Sequence, residues 1–122
     1  MCYCGSSQNF EACCAPFIEG KTTPTSALLL MKSRYTAYCT GGIDYLIQTT
    51  ARSEQKYYKR KDIENWSKQN DWLKLEIINY STDEVEFKAY HKSKKGIKIE
   101  IHHEHSKFIQ EDGRWKYLGH VE

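Results

Sequence analysis

Residues 85–89 read Val85-Glu86-Phe87-Lys88-Ala89, an apolar side chain at every second position with a charge between each pair. A period of two belongs to a strand with one face buried and the other in water. The same alternation recurs on either side. Leu73-Lys74-Leu75-Glu76-Ile77 precedes it, Ile97-Lys98-Ile99-Glu100-Ile101 follows it, and Trp115-Lys116-Tyr117 comes last. Ser81-Thr82-Asp83, Lys95-Gly96 and Asp112-Gly113 separate the runs, and Asp-Gly is a pair that tight hairpins favour. Four antiparallel strands are expected from Trp72 onward. One phase conflict stands out: Ile97, Ile99 and Ile101 are odd, whereas Ser106 and Phe108 are even. If both sets face the core, a β-bulge must flip the phase near His102 to His105. Otherwise Ile109 takes the core position and Phe108 covers an outer face.

Upstream of Trp72 the period is helical. Thr25 or Ser26 can cap a helix running to about Cys39, with Leu28, Met31, Tyr35 and Tyr38 on one face. Gly41-Gly42 ends it. A short helix is expected over Ile43 to Thr50, carrying Tyr45, Leu46 and Ile47. A more polar one is expected over Lys59 to Gln69, with Ile63 and Trp66 inward and Lys59-Arg60-Lys61 on a solvated face. Helices followed by a run of strands define an α+β fold, a curved sheet with helices on one face.

The chain has 122 residues, enough for one compact domain, and a hydrophobic share of 39% that can build a core. Its longest apolar run, Ala27 to Met31, is too short to cross a bilayer. Met1-Cys2-Tyr3-Cys4 has neither the basic start nor the apolar stretch of an export signal, so a cytoplasmic location is expected. A net charge of +2 does not by itself point to nucleic acid.

Four of the five cysteines, Cys2, Cys4, Cys13 and Cys14, fall in the first 14 residues. Two close pairs joined by a short loop can supply four thiolates, a complete tetrahedral set for one structural zinc ion. Gly5 can take a left-handed turn and aim backbone N–H groups at the sulfurs. Disulfides such as Cys2 to Cys13 are sterically possible but do not persist in a reducing compartment, and no C-x-x-C redox pair is present. The segment holds few large apolar side chains (Tyr3, Phe10, Phe17 and Ile18), so metal is expected to organise it. Cys39 reads as a small buried hydrophobe.

Cys2-Tyr3-Cys4-Gly5-Ser6 with Cys13-Cys14 resembles the SEC-C zinc motif. The stretches Leu30 to Tyr38, Asp44 to Ile47, Glu104 to Phe108 and Asp112 to Tyr117 extend the resemblance to the YchJ-like family, which joins that motif to a nuclear transport factor 2-like domain. The chain departs from the family pattern at Lys32, usually Arg, and at Thr49-Thr50-Ala51-Arg52, usually Thr-Trp-His-Pro. It has Gly119-His120 where Asp-Gly is usual, and it reaches Glu122 without a second cysteine motif. The resemblance implies a zinc segment over residues 1–20 and a cone-shaped domain with a pocket over residues 21–122.

Arg34 sits among apolar helix residues and is expected to reach Glu104 as a helix-to-sheet ion pair. Tyr35, Tyr38 and Ser106 would line the pocket with them. Asp44 is expected to cap the second helix, the pocket being its alternative. His102, His103 and His105 form a cluster in which His103 and His105 share a strand face and could hold a second metal with His91, though solvated or partly packed histidines are the favoured reading. Tyr57 and Tyr58 interleave with basic residues in a pattern compatible with RNA, a minority reading. In the secretion ATPase the SEC-C motif is a zinc-stabilised tail that contacts a chaperone and the ribosome. The resemblance therefore implies a non-enzymatic adaptor that docks a protein or ribosome, with a small ligand in the cone as a further expectation. The alternative is a pocket enzyme of the isomerase or dehydratase type using Glu104 or Asp44 with Tyr or His donors.

Overall fold

The computed structural model describes residues 1–121. Four helices precede four strands: α1 (Ala15–Ile18), α2 (Ala27–Thr40), α3 (Ile43–Gln48) and α4 (Arg60–Lys68), then β1 (Asn70–Tyr80), β2 (Glu84–Ser93), β3 (Ile99–Glu111) and β4 (Arg114–His120). The strands form one antiparallel sheet in the order β1-β2-β3-β4. This is the α+β architecture expected, with the helices packed across the concave face. No helix among the described residues is long and apolar enough to cross a membrane.

Helix α2 begins where Ser26 accepts a hydrogen bond from the Leu29 N–H at 3.1 Å. It ends where Gly41 turns left-handed at φ +79° and returns its N–H to Ala37. Met31 and Tyr35 are buried as expected, but so are Leu30, Ser33 and Thr36. The helix is covered on two sides. The sheet takes one face, and the N-terminal segment lies on another, with Ile18 so close that a Cβ at Gly42 would stand 3.1 Å from its Cγ2.

Helix α3 stops at Gln48, short of the expected Thr50, because the chain there joins β4. Tyr117 donates its N–H to Thr49 at 2.7 Å, and Ala51 donates to the Tyr117 carbonyl at 2.8 Å. In α4, Ile63 is buried, whereas Trp66 is 39% exposed and packs edge-on against Trp72 and His91.

The strand phase differs from expectation in two places. Leu73 is exposed because β1 carries an extra residue there: Trp72 pairs with His91 and Lys74 with Tyr90. The bulge lets Trp72 and Leu75 both face inward, three positions apart. In β3 the even residues face the core. Phe108 is 1% exposed, while Ile97, Ile99 and Ile101 are 98%, 58% and 53% exposed. The β2–β3 register runs unbroken from Glu84↔Lys107 to Lys92↔Ile99, so no bulge lies at His102 to His105. The irregularity is instead between Lys107 and Phe108, where β4 accommodates Leu118 as the extra residue.

The register makes a direct prediction. Phe108→Ala should cost about 3–5 kcal/mol of unfolding free energy in a denaturant titration, and Ile101→Thr about 0.5 or less. The reverse ranking would contradict this register.

Candidate functional site

Two features stand apart from ordinary packing: a cluster of thiols at the N-terminus and a cavity inside the cone. The ligand atoms of Cys2, Cys4, Cys13 and Cys14 lie within 4.8 Å of one another. Cys4 and Cys13 sulfurs are 3.7 Å apart, and those of Cys13 and Cys14 3.9 Å. A tetrahedron with metal–sulfur bonds of about 2.3 Å has edges of about 3.8 Å, so these spacings fit a four-thiolate metal site. They are far beyond the roughly 2.0 Å of a disulfide, and all five cysteines are free.

Local backbone makes the cluster. Gly5 sits at φ +93° and donates its N–H to the Cys2 carbonyl at 3.1 Å. The turn brings the Ser6 N–H to Cys4 and the Ser6 hydroxyl to the Cys13 sulfur at 3.1 Å. The neighbouring Cys14 thiol and the Ser6 N–H pull the Cys4 thiol down against the opposing effect of burial. Cys14, beside Cys4 and buried besides, is pushed up. One sulfur can therefore ionise only at a neighbour's expense, and a divalent cation would remove that conflict. Cys2 lies 4.0 Å from the Thr36 hydroxyl, so the cluster is seated on helix α2.

The cavity has a volume of about 230 Å³ between α2, α4 and the concave face of the sheet. The five pocket candidates Arg34, Tyr35, Tyr38, Glu104 and Ser106 all line it. Aromatic rings, among them Trp72, Phe87 and Tyr58, form much of its wall.

The expected ion pair between Arg34 and Glu104 is absent. Arg34 Nη1 instead donates to the Leu46 carbonyl at 2.9 Å and to the hydroxyls of Thr49 and Thr50 at 2.7 and 3.4 Å. Its guanidinium stacks 4.6 Å above the Tyr117 ring. The backbone supplies the reason: the last turn of α3 ends beside Arg34 and offers it carbonyl and hydroxyl oxygens.

Glu104 is held by other donors. The Tyr117 hydroxyl donates to it at 2.6 Å, and the Ser106 hydroxyl donates to the same oxygen. His102 Nε2 lies 2.9 Å from the other oxygen and must be the donor, because an ionised carboxylate only accepts. His120 stands 3.5 Å away. Burial alone would raise the Glu104 carboxyl; the hydrogen bonds from His102, Ser106 and Tyr117, with His120 nearby, outweigh it and hold it at about 2.

Two other expectations fail on geometry. Asp44 is exposed in the first turn of α3 and pairs with Arg60, while Gly42 occupies the N-cap. It neither caps the helix nor enters the cavity. His91, His103 and His105 do not converge. His103 bonds Glu86 at 2.8 Å and His105 bonds Glu84 at 2.7 Å on the outer face, whereas His91 faces inward and bonds Asn70. His102, expected among that solvated cluster, belongs to the cavity instead. Its even position, shared with Glu104, Ser106 and Phe108, was the available signal. Tyr117 and His120 were not singled out for the cavity, and only the β3–β4 register brings them to Glu104.

A cysteine segment of SEC-C type on a cone-shaped nuclear transport factor 2-like domain is the class of protein that these two features define. Residues 26–119 match the family described as YchJ, middle NTF2-like domain. A UPF0225 protein of Actinobacillus succinogenes is 35% identical, over 97% of this chain and 79% of its own length. UPF0225 protein NTHI0386 of Haemophilus influenzae is also 35% identical, over 96% of this chain and 74% of its own. Two solved SEC-C motif containing proteins share the fold. The one from Rhodopseudomonas palustris has a TM-score of 0.87 at 29% identity, covering 99% of this chain and 98% of that one. The one from Psychrobacter arcticus has 0.82 at 30%, covering 97% and 80%. The chain belongs to the YchJ-like UPF0225 family.

The Glu104 network has a pH signature. Its carboxyl drops from 4.5 to about 2 on folding, so the stabilisation is complete above pH 4.5 and fades as pH falls toward 2. Denaturant midpoints measured across that window should show a loss on the order of 3 kcal/mol from this group. Glu104→Gln should flatten that part of the curve, and an unchanged curve would contradict the assignment.

Proposed function

We propose that this protein is a small-molecule-binding cone domain whose N-terminal segment is clamped by one structural zinc ion. The cavity carries the first half of that reading. A cone interior that served only as a core would be filled by side chains at close-packed density. This one retains about 230 Å³ with an ionised carboxylate, a guanidinium and a tyrosine hydroxyl on its wall. Concave, largely aromatic walls with a few converging polar groups are the usual make-up of a ligand site.

Zinc is supported by the donor set. Four sulfurs at tetrahedral spacing leave no open position, so the ion would be structural and not hydrolytic. Cys2, Cys4, Cys13 and Cys14 would hold it, and the Ser6 N–H and hydroxyl would offset the thiolate charge. The clamp fixes Ile18 against the turn after α2, the helix that delivers Arg34, Tyr35 and Tyr38 to the cavity.

Docking of a protein or ribosome through the zinc segment is a second reading. It is favoured by Tyr3, which is 51% exposed beside the cluster and stacked edge-on against Phe10 at 5.5 Å. Co-sedimentation with ribosomes that is lost in Tyr3→Ala would support it, and binding unaffected by that change would remove it.

Elemental analysis of protein purified without added metal should give close to one zinc per chain, and Cys14→Ser should lose both the metal and several degrees of Tm. Metal-free protein with an ordered N-terminus would overturn the clamp. For the cavity, a panel of ring-sized acids, alcohols and amines should contain at least one compound that raises Tm in the wild type. Ala89→Phe, which fills the cavity, should abolish that rise. A panel silent on the folded wild type would overturn the ligand reading.

A further inference from the structure

Arg34 is 9% exposed, and every group touching its guanidinium is neutral: one carbonyl, two threonine hydroxyls and the face of Tyr117. Among the described residues no carboxylate oxygen comes within 4.0 Å of it. A buried cation ordinarily has a counterion. Glu104, the carboxylate on the same cavity wall, is already committed. Its two oxygens take hydrogen bonds from His102, Ser106 and Tyr117, with His120 at 3.5 Å, and a carboxylate offers only about four acceptor positions.

The guanidinium nevertheless has donors left. Nη1 makes all of its hydrogen bonds, while no buried side-chain nitrogen or oxygen in the described residues lacks a partner. Nε and Nη2, which bond nothing in the protein, are therefore not sealed off, and Arg34 lines the cavity. Tyr38 lines the same cavity, and its hydroxyl also has no protein partner. Burial raises the Tyr38 phenol, more than the nearby Arg34 lowers it, so the hydroxyl keeps its proton and can donate.

We propose that the cavity receives a small monocarboxylate, its carboxylate seated on the unused edge of Arg34 and the Tyr38 hydroxyl, and its apolar body against Trp72 and Phe87. This rests on the reading of the cavity as a ligand site. Monocarboxylate chemistry follows from the donor count. The guanidinium edge and one hydroxyl satisfy two oxygens, as in fork-to-carboxylate pairs. A phosphate dianion, with more oxygens and more charge, would need more donors than this edge and hydroxyl offer. The volume, roughly that of eight waters in the liquid, fits a single ring or a short chain.

The full chain is titrated at fixed ionic strength with benzoate, benzyl alcohol and benzylamine, following the fluorescence of Trp66 and Trp72. Benzoate should bind at least about tenfold more tightly than either of the others. Tyr38→Phe should weaken benzoate about three- to tenfold, and Arg34→Met should abolish the preference for the acid. Should Arg34→Met fail to fold by circular dichroism, Arg34→Lys decides: it keeps the charge but loses the planar fork, and should weaken benzoate about tenfold. Equal binding of benzoate and benzyl alcohol, or tighter binding of benzylamine, overturns the anion assignment and leaves the cavity as a ligand site. If none of the three binds folded wild-type protein, both readings fall.

Discussion

Tyr117 ties together three parts of the molecule. Its backbone holds the end of α3 through Thr49 and Ala51, its ring carries the Arg34 guanidinium, and its hydroxyl donates to Glu104. Burial, and then the charge of Glu104, keep the phenol protonated, so the donor role is permanent at physiological pH. Helix α2, helix α3 and both C-terminal strands thus converge on one tyrosine. Much of the polar wall of the cavity follows from that convergence, because Arg34 and Glu104 are each fixed by protein donors or acceptors.

The same arrangement separates two charges that pairing would have cancelled. Arg34 is drawn toward the carbonyl end of α3, and Glu104 is drawn toward His102 and Ser106 on its own strand. A helix C-terminus is a good partner for a cation because its last carbonyls have no intrahelical donor. The tyrosine between them transmits contact without neutralising either. An open cavity with a guanidinium edge still available is the consequence.

The cysteine segment acts on this site at a distance. It packs on the side of α2 opposite the sheet, through Thr36 and the close approach of Ile18 to Gly42. The segment covers Thr36 and the turn at Gly42 on that helix. The cysteine cluster and the cavity thereby share one helix.

The residues alone determined the cysteine set, a helix cap at Thr25 or Ser26, the glycine stop after α2 and the helix-then-strand order. Each of these is a local matter of spacing, capping or backbone freedom. Arg34, Tyr35 and Tyr38 also share the cavity wall, because short-range helical periodicity sets their positions on α2. What needed the tertiary structure was phase and partnership. Ile97, Ile99 and Ile101 alternate as well as any core strand, yet a one-residue choice of register puts them outside and places His102 and Glu104 within. A bulge at Leu73 reverses a face in the same way. The choice between Glu104 and the end of α3 as partner for Arg34 depends on where a second helix stops. No window of sequence contains both, so only the folded chain could settle it.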